Sequence, residues 1–210
     1  MIKIEDLNLV LQKNVILDNI NLELHEGKIY GLIGRNGSGK SMLMKCMCGF
    51  IVPNSGTVTF NGKRIGKDID FPESAGIIIE TPGFIMNYSG YKNLKFLSDL
   101  KKKLGREKIK DTLRQVGLDP EMKRPVKKYS LGMRQRLGLA QAIMEEPDVL
   151  ILDEPMNGLD KEGVRDMRKY LLDYKREDRI ILLSSHSSED IEVLCDEVIE
   201  MEHGKITSVK

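Results

Sequence analysis

The string Gly34-Arg35-Asn36-Gly37-Ser38-Gly39-Lys40-Ser41 restricts the fold of this chain more than any other stretch. It matches G-x-x-x-x-G-K-[ST] in full. Its flanks fit as well, since Lys28–Ile33 reads as a strand and residues 41–48 read as a helix closed by Gly49. Glycines at this spacing let a tight strand-to-helix turn approach crowded anionic oxygens and aim several backbone N–H groups at them. The expected ligand is a nucleoside triphosphate gripped by residues 34–41. Lys40 is expected to bridge its β- and γ-phosphates, and the Ser41 hydroxyl to ligate Mg²⁺. A chance Gly-rich turn would have to fall by accident between a strand and a helix.

A second string completes such a site. Val149-Leu150-Ile151-Leu152 reads as a buried strand that delivers Asp153 and Glu154 to its C-terminal end, where ligands bind in open α/β sheets. Asp153 is expected to hold Mg²⁺ directly or through water, and Glu154 to polarise the water that attacks the γ-phosphate. In isolation an acidic pair after a strand is a helix cap or a solvated loop. The phosphate-binding loop upstream gives the pair its chemistry.

The rest of the chain reads as one α/β unit. Residues 1–9, 16–24 and 57–60 have strand-like spacing, the last followed by an Asn61-Gly62 turn. Residues 94–104 and 107–116 have helical spacing. After them, strands at 149–152 and 179–184 alternate with helices at 164–174 and 188–194, which argues for a parallel sheet covered on both faces. The expected layout is a catalytic core with a β subdomain (1–80 and 145–210) interrupted by a helical subdomain at about 81–144. Lys101-Lys102-Lys103 fits a solvated helix face within a mixed-charge surface.

Composition excludes several classes. Lys+Arg at 33 against Asp+Glu at 32 gives a net charge of +1, so no nucleic-acid partner is expected. The three cysteines, Cys46, Cys48 and Cys195, suit a reducing compartment better than a disulfide framework. The Cys46/Cys48 pair sits in an apolar helical stretch and reads as core, since no second Cys/His pair stands at ligand spacing. No apolar run approaches the ~20 residues of a membrane helix, and no signal peptide is expected.

The third string, Tyr129-Ser130-Leu131-Gly132-Met133-Arg134-Gln135-Arg136, precedes an apolar-patterned helix. Alone, Ser130 reads as an N-cap. Between the other two motifs, the string resembles the signature loop of the ABC transporter ATPase family, usually Leu-Ser-Gly-Gly-Gln, with Ser130, Gly132, Gln135 and Arg136 matching and Tyr129, Leu131 and Met133 departing. The resemblance covers nearly the whole chain in order. It implies a P-loop NTPase fold with a RecA-like parallel-sheet core, an N-terminal antiparallel β subdomain and an inserted helical subdomain. Asn157-Gly158-Leu159-Asp160 stands at the family's D-loop, which contacts the opposite subunit, and His186 at its switch histidine near the γ-phosphate. His25 and His203 match no motif.

In this family two cassettes close head to tail on two ATP molecules. The resemblance therefore implies that Ser130, Leu131, Gly132 and Met133 meet the nucleotide bound at the partner's Lys40. It also implies a homodimer with ATP, a separate transmembrane permease, and a place in the cytoplasm on the inner face of the membrane. Two positions depart from the family pattern. Glu80 replaces the usual Gln that reaches Mg²⁺ and the attacking water, and Leu11 replaces the usual aromatic under the adenine. Glu80, Thr81-Pro82-Gly83-Phe84 and Gly90-Tyr91-Lys92-Asn93-Leu94 resemble the branch serving bacitracin-resistance and lantibiotic-immunity exporters. The function so implied is an ATPase motor for export of a peptide antibiotic or similar amphipathic compound. Rival readings are a regulatory ATPase that switches a membrane partner without cargo, a soluble cassette ATPase, and a small-molecule kinase. The permease is expected to dock on residues 80–94, with Phe84, Ile85, Met86 and Tyr88 either exposed for it or packed into the helical lobe. No appended regulatory domain is expected.

Overall fold

A computed structural model describes residues 1–80, 83–100 and 103–210. The strings at Thr81-Pro82 and Lys101-Lys102 lie outside the described residues.

Two sheets organise the chain. The first is antiparallel, in the order β2-β1-β4-β5, built from β1 (Ile2–Leu11), β2 (Asn14–Leu24), β4 (Ser55–Phe60) and β5 (Lys63–Arg64). The second has six strands in the order β10-β9-β3-β8-β7-β6. Its members are β3 (Lys28–Ile33), β6 (Ala75–Ile78), β7 (Val149–Leu152), β8 (Ile180–Ser184), β9 (Glu197–Glu202) and β10 (Lys205–Val209). All of its neighbours pair in parallel except the β9–β10 hairpin. The helices are α1 (Lys40–Met47), α2 (Gly90–Leu100), α3 (Arg106–Gln115), α4 (Leu131–Ile143), α5 (Lys161–Tyr174) and α6 (Ser188–Leu194).

The six-stranded sheet divides the core, because successive side chains of a strand point to opposite faces. Leu150, Leu152, Ile181 and Leu183 pack on one face with residues of α2 to α5, such as Leu94, Leu113, Leu137 and Leu171. Val149, Ile151, Ile180 and Leu182 pack on the other with Leu43, Met44 and Met47 of α1 and with the antiparallel sheet. Both faces being covered, β7 and β8 are buried at every position, which explains their unbroken apolar runs. Cys46 and Cys48 belong to this second layer and are fully buried. The C-terminal ends of β3, β6, β7 and β8 all open on one edge of the sheet, from which residues 34–41, Asp153-Glu154 and Ser185-His186 follow.

Candidate functional site

The loop after β3 is shaped by glycines in conformations that other residues rarely adopt. Gly34 has φ 149°, and a Cβ there would come within 2.3 Å of Met201 O and 2.7 Å of Ser38 Oγ. Gly39, at φ 106°, caps α1 and lies against Ile16 and Leu17 of β2. Lys40 is 7% exposed, and its Nζ donates to Gly34 O at 2.7 Å and Arg35 O at 3.2 Å, so the ammonium is held over the loop. Ser38 Oγ is buried and has no hydrogen-bond partner among the described residues, although such groups in folded proteins nearly always have one.

β7 carries Asp153 to a point 2.6 Å from the Ser41 hydroxyl, which donates to Oδ2. The Ser184 hydroxyl, at the end of the neighbouring β8, donates to Oδ1 at 2.6 Å and accepts the Glu154 N–H at 2.9 Å. Ser184 is fully buried and fixes Asp153 and Glu154 together; its signal in sequence is a polar residue ending an apolar strand. Glu154 has φ 50°, an uncommon conformation for this residue type that is met most often at functional sites. Its Oε1 lies 3.3 Å from His186 Nε2 but is not in hydrogen-bond geometry with it, and no other group among the described residues partners that buried oxygen. A cleft of about 1030 Å³ opens beside this pair, bordered by Asn36, Asn157, Lys161 and Arg165.

The structure thus brings together residues 34–41, Asp153, Glu154 and His186. Glu80 lies at the end of β6 but pairs with Lys45, one turn beyond Ser41 on α1, and its side chain is largely exposed. Leu11, 38% exposed, ends β1 opposite Asn14, on the hairpin whose second strand runs past Gly39. Ser130 caps α4, its Oγ accepting from Met133 N at 3.1 Å. Among the described residues, no hydrogen bond or ion pair joins Ser130–Met133 to residues 34–41. Residues 131 and 132 instead pack on Gly158: a Cβ on Gly132 would sit 3.0 Å from Gly158 O, and Leu131 leans on Gly158. Gln135 ties α4 to the residues that follow β7 by donating to Glu154 O at 3.3 Å and Pro155 O at 3.0 Å. Asp160 caps α5, accepting from Gly163 N at 2.9 Å.

Residues 17–157 match the ABC transporter family. The chain belongs to that family. Over 206 residues it is 45% identical to an uncharacterized ABC transporter ATP-binding protein, YybJ of Bacillus subtilis, covering 98% of this chain and 94% of that protein. It is 41% identical over 208 residues to the bacitracin transport ATP-binding protein BcrA of Enterococcus faecalis, covering 98% of this chain and 68% of that one. In fold it is similar to a dimeric ATP-binding cassette, MJ0796, solved in a post-hydrolysis state with ADP and phosphate. The TM-score is 0.89 at 18% identity, covering 100% of this chain and 98% of that one. The fold is that of P-loop NTPases, and the protein is an ATP-binding, ATP-hydrolysing subunit of the ABC transporter family. Among the described residues no helix is long and apolar enough to cross a membrane.

Proposed function

We propose that this chain is the cytoplasmic motor of a transporter, closing head to tail with a second copy on MgATP and driving a separate permease that exports a peptide antibiotic or similar amphipathic compound. The observation that carries the reading is the meeting of Ser41, Asp153, Glu154 and His186 at one sheet edge beside a loop whose Ser38 hydroxyl is orphaned. Residues 34–41 grip the triphosphate, Lys40 leaving its two loop carbonyls for the β- and γ-phosphates. Glu154 takes the proton of the attacking water, and His186 holds the γ-phosphate side of that pair. The unpartnered Glu154 Oε1 is free to accept such a hydrogen bond.

A hydroxyl and a carboxylate within 2.6 Å of each other are the hard oxygen donors that Mg²⁺ prefers, so the residues present fit the ion. Ser41 and Asp153 would hold the ion, and its charge would offset that developing on the phosphates. Glu80, at the end of β6 and paired with Lys45, would be the third oxygen donor near this group.

One subunit contributes Ser130 to Met133 to its partner's nucleotide, in keeping with the exposure of Ser130 and the lack of any bond from it to its own phosphate loop. The cassette works as a core of 1–80 and 145–210 with a helical lobe of about 81–144. Ile85, Met86 and Tyr88 are exposed, whereas Phe84 packs against the helical core, so three of the four apolar residues at 84–88 are available to a permease. Buried Asn93 presents them, donating to Ile85 O and Ser89 O and accepting from Ile85 N. The relatives named for bacitracin transport suggest the cargo class.

The deciding experiment is sedimentation of Glu154→Gln protein with and without MgATP, with Lys40→Ala as the non-binding control. A shift from monomer to dimer with MgATP supports the head-to-tail motor. A protein that binds ATP and stays monomeric overturns the homodimer, and one that binds no ATP overturns the site.

A further inference from the structure

The segment Ser185-His186-Ser187 is held on both sides of its histidine by Asp190, through its carboxylate at Ser185 and its backbone N–H at Ser187. Asp190, in the first turn of α6 and 3% exposed, accepts the Ser185 hydroxyl on Oδ2 at 2.8 Å. The Ser185 oxygen in turn accepts the Ser187 N–H at 3.1 Å, and the Asp190 N–H donates to Ser187 Oγ at 3.3 Å. The other carboxylate oxygen of Asp190 faces α5. Arg168, two turns into that helix, gives it Nε at 2.8 Å together with Nη2, and sends Nη1 to Glu189 at 2.8 Å.

The side chains of Arg168 and Asp190 are only 15% and 4% exposed. A charge pair this deeply placed is weak evidence for stability, because apolar residues of similar volume do as well in such positions. What an ion pair supplies and an apolar pair does not is fixed direction: the guanidinium fork and the carboxylate each impose an angle on the helix that bears them. Here the two helices carry different parts of the site. α5 starts at the D-loop residue Asp160, and α6 starts directly after the switch histidine.

We infer that Arg168 and Asp190 are positioning residues, which set His186 against the Glu154 carboxylate and make that placement depend on where α5 stands. The inference rests on the proposed roles of Glu154 and His186. Asp190 reaches neither Glu154 nor the phosphate loop; its route to the reaction runs through Ser185 and the backbone on either side of His186. Arg168 acts one step further back, by holding the Asp190 carboxylate in place. A displacement of the D-loop helix is thereby passed to the histidine.

The test is a double-mutant cycle on ATP turnover by the full chain. Asp190→Ala, Asp190→Asn, Arg168→Leu and Arg168→Lys are each measured alone and combined with His186→Ala, with thermal melting of every variant. Asp190→Ala is expected to lower kcat by roughly 10–100-fold, the range for outer partners of catalytic groups. KM for MgATP should change by less than about threefold, since the phosphate loop is untouched. Arg168→Lys keeps the charge and loses the fork, so it should fall between the parent and Arg168→Leu. In the His186→Ala background none of these changes should cost further turnover. Losses that add to that of His186→Ala, or full turnover by folded Asp190→Ala, overturn the positioning role while leaving the role of His186 intact. Full turnover by His186→Ala overturns both.

Discussion

The Ser41 hydroxyl and the Asp153 carboxylate meet at 2.6 Å although 112 residues separate them in the chain. The other Asp153 oxygen accepts from Ser184, so two neutral donors flank the carboxylate, and among the described residues it forms no ion pair. Its negative charge is left for a cation. Asp153→Asn preserves the shape and removes that charge. It is expected to raise the Mg²⁺ concentration needed for half-maximal ATP hydrolysis by roughly 10–100-fold or more, with nucleotide binding in chelator largely kept. A variant with the parent's Mg²⁺ dependence would refute the assignment.

How much of this was legible in sequence depends on whether the determinant is local. The phosphate loop and the Asp153-Glu154 strand end are short strings of fixed spacing, so their elements come out where the pattern puts them. Boundaries moved where a cap decided them. α5 begins at Lys161 rather than 164 because Asp160 accepts from Gly163 N, and α2 begins at Gly90 rather than 94, with the Ser89 hydroxyl accepting from Lys92 N. The β9–β10 hairpin carries its signal openly: Ile199–Glu202 alternates, and His203-Gly204 at φ 48° and 77° makes the turn, yet it carries no site motif. Ser184 on Asp153, Lys45 on Glu80 and Arg168 on Asp190 are different in kind. Each joins residues distant in sequence, and one chain without its fold holds no pattern that pairs them.

The cysteines offer a check on the core. Burial pushes the Cys46 thiol up to about 11 and the Cys48 and Cys195 thiols up to about 12. A thiol reacts as its thiolate, and at pH 8 a thiol titrating at about 11 is ionised to only about one part in 10³. The folded protein is expected to show no thiol reacting with a disulfide reagent within minutes at pH 8, and all three reacting in guanidinium. A rapidly reacting Cys46 or Cys48 in the native state would mean that the layer between α1 and the antiparallel sheet is looser than described, and a rapidly reacting Cys195 that the packing on the opposite, helical face is.

At the base position that the family pattern assigns to it, Leu11 would offer an apolar surface without a ring to stack on, from an exposed position at the end of β1. Leu11→Tyr should therefore tighten ATP binding by an aromatic pairing worth about 0.5–1.5 kcal/mol, roughly two- to tenfold. Little change in melting temperature is expected, because the position is not packed. Titration of ATP and GTP against both proteins measures it. Unchanged affinities would remove Leu11 from the base site.

Ser130 has two separable duties, one seen in the fold and one proposed. Its hydroxyl caps α4 by accepting from Met133 N, and Ser130→Ala should cost about 1 kcal/mol through that bond alone. For a domain of this size that lowers the melting temperature by roughly 2–4 °C. Aspartate caps a helix as well as serine does, so Ser130→Asp should melt near the parent. It also sets a negative charge where the partner's γ-phosphate is proposed to lie. In the Glu154→Gln background, Ser130→Asp is therefore expected to bind MgATP as a monomer and fail to dimerise, whereas Ser130→Ala, less stable but uncharged, still closes in part. Sedimentation of the two with MgATP separates the roles. Normal dimerisation of Ser130→Asp would confine Ser130 to its helix cap and leave the nucleotide contact across the interface to other residues.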